Sequence, residues 1–178
     1  MSRTTSQHRQ DAAAQGHPGG HGDQMSTLVL GVGNYLMGDE GVGVHLAEAM
    51  AQEALPEGVE VLDGGTGGFH LMEHMERHPC LIIVDATLDG QPVGTIQRRR
   101  PRFAADFPRV LSTHDIGLRD VLEGLSITGK MPDVHLYTIS IEDLREMDIA
   151  LSPAVAEAMH QVKKEILELL RAGSADAR

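Results

Sequence analysis

The sequence predicts an α/β protein, and three observations carry that expectation. Short runs rich in β-branched and aliphatic residues recur along the chain at Thr27–Val32, Val59–Leu62, Leu81–Val84, Thr95–Arg98 and Val134–Ile141. Stretches with helical spacing of apolar residues alternate with them. Several of the strand-like runs close on glycine or a carboxylate. Alternation of this kind builds a parallel or mixed sheet with helices on both faces.

Each element follows from local chemistry. Thr27 to Val32 (TLVLGV) reads as a buried first strand. After a glycine-rich loop, Val44, Leu46, Ala47, Met50, Ala51 and Ala54 fall at helical spacing, so a helix is expected from Gly43 to Leu55, stopped by Pro56 and Gly58. Val59 to Leu62 is the second strand, closing on Asp63-Gly64-Gly65-Thr66, and Phe69 to Met75 a short helix. Leu81 to Val84 is an unbroken apolar run and the central strand, ending on Asp85. Gly90 to Gly94 turns the chain, and Thr95 to Arg98 returns along an edge. Ser112-Thr113 offers an N-cap for a helix from about Asp115 to Leu125. Val134 to Ile141 alternates with the period of a strand. Val155, Met159, Val162, Ile166, Leu169 and Leu170 form one stripe on a last helix, from about Pro153 to Arg171.

Composition limits what this domain can do. The chain has 178 residues, 41% of them hydrophobic, which suits one α/β domain over 27–172. Residues 1–26 are rich in Gln, Gly, Ser, His and Asp and are expected to be a disordered extension; 173–178 are expected to be a flexible tail. A net charge of −11 excludes a nucleic-acid partner, which needs concentrated Lys and Arg. Arg98, Arg99, Arg100 and Arg102 are too few to reverse that and read as a solvated strand end. No run approaches the ~20 apolar residues of a membrane span. The single cysteine, Cys80, cannot form an intrachain disulfide, so a cytoplasmic protein is expected. Cys80 itself reads as a small buried hydrophobe rather than a nucleophile.

In sheets of this type ligands sit beyond the carboxyl ends of the strands. Three acidic loops would meet there: Gly33–Gly43 with Asp39 and Glu40, Asp63–Thr66, and Asp85. Carboxylates gathered in one cleft need solvent, a proton or a cation to compensate them. His114, in a loop leading into a helix, could add a neutral nitrogen. Glu40, Asp85 and His114 would then make an open metal site of mixed oxygen and nitrogen donors, compatible with zinc, iron, manganese or nickel. Plainer roles stand beside that one. Glu40 could sit in a first helical turn, Asp85 could form a strand-end turn, and Asp39 suits an N-cap. Asp63 could bind the backbone of its own loop or act as a base. Dinucleotide binding is disfavoured: after Gly31 and Gly33 the third glycine position is Leu36, and Asp39 and Glu40 would repel a pyrophosphate. H-E-x-x-H and G-x-S-x-G are both absent from the sequence.

The stretch Gly31-Val32-Gly33-Asn34-Tyr35-Leu36-Met37-Gly38-Asp39-Glu40-Gly41-Val42-Gly43 resembles the opening motif of the nickel-iron hydrogenase maturation proteases. Asp63-Gly64-Gly65-Thr66 resembles their second motif, and Val84-Asp85-Ala86 with Gly94-Thr95 the third. Ser112-Thr113-His114-Asp115-Ile116-Gly117-Leu118 resembles the fourth. The resemblance implies a three-layer α/β/α fold around a twisted, mostly parallel sheet. It implies one cut near the C-terminus of a hydrogenase large-subunit precursor after nickel insertion. It further implies that Glu40, Asp85 and His114 contact a nickel carried by the substrate, which the isolated protein need not hold, and that Asp63 affects activity. Catalytic roles are therefore expected at Asp63, Glu40 and Asp85, in a protein for which a monomer is favoured. The segment Leu136–Glu142 departs from the glycine-, glutamine- and proline-containing turn of the family. If it selects the precursor, the resemblance implies a divergent hydrogenase or another substrate. The alternatives are a nickel-sensing chaperone that grips the large subunit without cutting it, and a silent nucleotide-binding domain.

Overall fold

The computed structural model describes residues 26–102, 106, 118–142 and 147–176. Five strands form one sheet: β1 (Thr27–Gly31), β2 (Val59–Asp63), β3 (Cys80–Thr87), β4 (Ile96–Arg99) and β5 (Asp133–Ser140). Four α-helices accompany them: α1 (Val42–Met50), α2 (Met72–Arg77), α3 (Leu118–Ile127) and α4 (Pro153–Asp176). The strand order is β2-β1-β3-β5-β4. Every pairing is parallel except β4 with β5, which returns antiparallel along the edge.

Strand alternation sorts the core into two layers. Val29, Ile82, Val84, Tyr137 and Ile139 face α1 and α4, whose Leu46, Met50, Val155, Val162 and Ile166 are buried against them. Leu28, Leu30, Leu81, Ile83 and Leu136 face the other way, onto Leu71, Met75 of α2, and Val121, Leu122 and Leu125 of α3. The arrangement is the expected three-layer α/β/α fold.

Several boundaries differ from expectation, each for a local reason. A 3-10 turn at Gly38–Gly41 runs directly into α1, so helical structure begins before Gly43. The same helix stops at Met50 rather than Leu55. Its last bonds are Ala51 N–H to Ala47 O and the tighter Glu53 N–H to Met50 O, and Leu55 packs on the core from a loop. The central strand β3 extends to Thr87, because β5 pairs with it through Thr87↔Ser140. Asp85 therefore lies inside the strand, not at its end. Helix α4 continues to Asp176, so the expected tail from 173 is helical over four of its residues, 173–176. Ser26 belongs with the domain, its hydroxyl donating to Arg77 O at 3.4 Å; 1–25 lie outside the described residues.

Edge strand β4 carries Arg98 and Arg99 in exposed positions, and Arg100 follows it. Arg98 pairs with Glu165 and lies over the Tyr137 ring, while Arg100 pairs with Asp133 at 2.5 Å. Charges on an open edge discourage pairing with another chain, in keeping with a solvated strand end.

Candidate active site

The first loop is built by its glycines. Gly43, at the start of α1, lies so close to the sheet that a Cβ there would stand 2.3 Å from both Val32 O and Val84 O. Gly33 has φ +147°, and a Cβ on it would lie 2.0 Å from Glu40 O. Only glycine tolerates that conformation and approach. Val32 N–H donates to Val84 O at 2.9 Å, which closes the gap between the β1 loop and β3. These glycines are spent on packing backbone against backbone, and the 3-10 turn bearing Glu40 rests on β3.

Glu40 and Asp85 are both buried, Glu40 fully. Asp85 accepts a hydrogen bond from Ala86 N–H at 2.8 Å through Oδ1. It shares a sheet face with Leu81 and Ile83, and at its level that face changes character. Thr87 follows it on β3, and on β5 the row Val134, Leu136 gives way to Thr138 and Ser140. All four of Asp85, Thr87, Thr138 and Ser140 are buried. The Ser140 hydroxyl has no hydrogen-bond partner among the described residues. The sheet face therefore turns from apolar to polar at its carboxyl end. Thr87, Thr138 and Ser140 were not singled out from the sequence; the change from apolar to hydroxyl side chains along β5 was the available signal.

Asp39, expected as an N-cap for the helix that follows it, does something else. Its Oδ1 accepts the Ser152 N–H at 2.5 Å, just ahead of Pro153 and α4. The α1 start has no side-chain cap. Asp63 stands at the end of β2, exposed, and its Oδ1 accepts Gly65 N–H at 2.8 Å. Its loop is tied to the first one by Gly64 N–H to Gly31 O (2.8 Å) and Gly33 N–H to Gly65 O (2.7 Å). His114 lies outside the described residues, as do Ser112, Thr113 and Asp115. Only Asp115, Ile116 and Gly117 separate His114 from Leu118, the buried first residue of α3. Among the described residues no group of three or more His, Cys, Asp or Glu is arranged to hold a metal. Cys80 opens β3, at the opposite end from Asp85; it is partly rather than fully buried, and that burial pushes its thiol pKa up.

The fold is α/β/α, and Glu40 and Asp85 are buried at the carboxyl edge of its sheet. Residues 44–169 match the model of the family described as hydrogenase maturation protease. The hydrogenase 2 maturation protease of Escherichia coli is 38% identical over 156 residues, 86% of this chain and 95% of that one. The hydrogenase expression/formation protein HupM of Azotobacter chroococcum is 35% identical over 87% of this chain and 80% of its own. Among solved structures, the hydrogenase maturating endopeptidase HybD from E. coli superposes with a TM-score of 0.75 at 39% identity, covering 83% of this chain and 93% of that one. The chain belongs to the hydrogenase maturation protease family. It is an endopeptidase, which sets aside the non-cleaving chaperone and the silent nucleotide-binding domain. Among the described residues no helix is long and apolar enough to cross a membrane.

Proposed function

We propose that the enzyme removes the C-terminal extension of a nickel-iron hydrogenase large-subunit precursor, and that Glu40, Asp85 and His114 dock a nickel ion carried by that substrate. The observation behind this reading is the burial of Glu40 and Asp85 beside one another's elements at the carboxyl edge. Two carboxylates on neighbouring elements at one edge favour the approach of a cation. His114 enters this reading through its place in the fourth motif, Ser112 to Leu118, four residues ahead of the start of α3.

Such a ligand set is incomplete on its own. It binds strongly only when the substrate brings the metal and its remaining ligands, and cleavage then depends on metal loading through a difference in affinity. A nickel ion so held polarises what it binds. Asp63, exposed at the end of β2 beside the β1 loop, is assigned the base that activates water. The single cysteine supports the cytoplasm as the compartment.

Substitution tests these roles. Glu40→Gln and His114→Ala should each abolish cleavage of a nickel-loaded precursor, read as mass loss, while the thermal unfolding midpoint changes little. Full activity in either variant would remove that residue from the metal site.

A further inference from the structure

Of the seven large hydrophobic side chains exposed among the described residues, four lie on two neighbouring loops: Tyr35 (36% exposed), Leu36 (53%), Met147 (87%) and Ile149 (52%). The first loop follows β1 and runs straight into the turn that carries Glu40. The second precedes α4. They are fastened to each other by Gly38 N–H to Asp148 O at 2.6 Å, by a parallel bridge between Met37 and Asp148, and by His45 Nε2 to Ile149 O at 2.9 Å. The Tyr35 ring stacks on His45 with centroids 4.7 Å apart. Asp39 holds the end of the second loop through Ser152 N–H. Met147 has φ +58°, a conformation that costs energy for any residue with a Cβ.

Exposed apolar side chains scattered singly need no explanation; grouped and rigidly mounted ones mark an interaction surface. This group adjoins the Glu40 turn through continuous backbone. A protease acting on a folded protein must lay that protein against the rim of its site. We propose that Tyr35, Leu36, Met147 and Ile149 form an apolar ledge that grips an apolar surface segment of the hydrogenase precursor beside the scissile region. The ledge supplies binding energy remote from the metal, and the metal supplies the check on loading. This inference rests on the substrate reading above.

The test compares steady-state cleavage of nickel-loaded precursor by the unmodified enzyme, by the double variant Leu36→Ser/Ile149→Ser, and by Ile127→Ser. Ile127 is 82% exposed at the end of α3, on the side of the sheet where β5 begins. The ledge requires KM to rise about tenfold or more in the double variant, with kcat within about threefold and with no change for Ile127→Ser. The single variant Ile149→Ser gives the same comparison, at smaller amplitude, should the pair disturb folding. A KM within about twofold of the unmodified enzyme, or an equal rise in Ile127→Ser, overturns the ledge while leaving the substrate reading intact. Self-association abolished by the double variant, with KM unchanged, would assign the surface to a second copy of this chain instead. No cleavage of any hydrogenase precursor by the unmodified enzyme would overturn the substrate reading and the ledge with it.

Discussion

Gly43 shows how much of this site depends on a missing side chain. Its neighbours at Cβ distance are backbone oxygens of Val32 and Val84, which cannot move without parting β1 from β3. Gly43→Ala should destabilise the domain by about 3 kcal/mol, read from urea unfolding, and should displace the Glu40 turn enough to reduce cleavage. His135 gives a pH-dependent counterpart away from the site. Burial, and then the Arg100 guanidinium beside it, hold its imidazole pKa below the ordinary value, against a smaller opposing pull from Asp133. The folded state thus favours the neutral ring. Its contribution to stability is complete above the unfolded pKa of about 6.5 and is lost as the pH falls through that value towards the folded one. In His135→Gln, the loss of stability between neutral pH and mild acid, followed by chemical denaturation, should be smaller than in the unmodified protein.

At the scale of elements, the bond from Ser152 N–H to Asp39 joins residues 113 positions apart. It couples the start of α4 to the turn carrying Glu40. Asp39→Ala should cost about 1–2 kcal/mol, as the loss of a capping carboxylate does. It should also raise amide exchange at Ser152 and along the loop before it. This is the kind of contact the sequence could not disclose. Asp39 precedes an apolar helical stretch, so local reasoning gave it to that helix, whereas tertiary packing gave it to another. The limits of β3 were hidden for a similar reason. Leu81–Val84 reads as a strand because it is continuously apolar, but Asp85 reads as an end. Only β5, with Thr138 and Ser140 opposite Asp85 and Thr87, continues the ladder. By contrast, the alternation in β5 and the stripe on α4 were legible, Leu169 excepted, which is exposed, because a periodic pattern needs no knowledge of partners.

For the molecule as a whole, layer architecture followed from strand–helix alternation, and the rule that ligands gather at strand carboxyl ends directed the search for a site to that edge. Convergence of the Glu40 loop and Asp85 on that edge needed no family resemblance. What the site binds did need it, since carboxylates with an imidazole suit several metals equally. On the proposed function, two buried carboxylates and His114 read a metal that arrives with the substrate. The most direct measurement is intact-mass analysis of nickel-loaded and nickel-free large-subunit precursor, each incubated with the enzyme under identical conditions. Loss of a C-terminal fragment from the loaded precursor alone is the predicted result. Equal cleavage of both forms would contradict the claim.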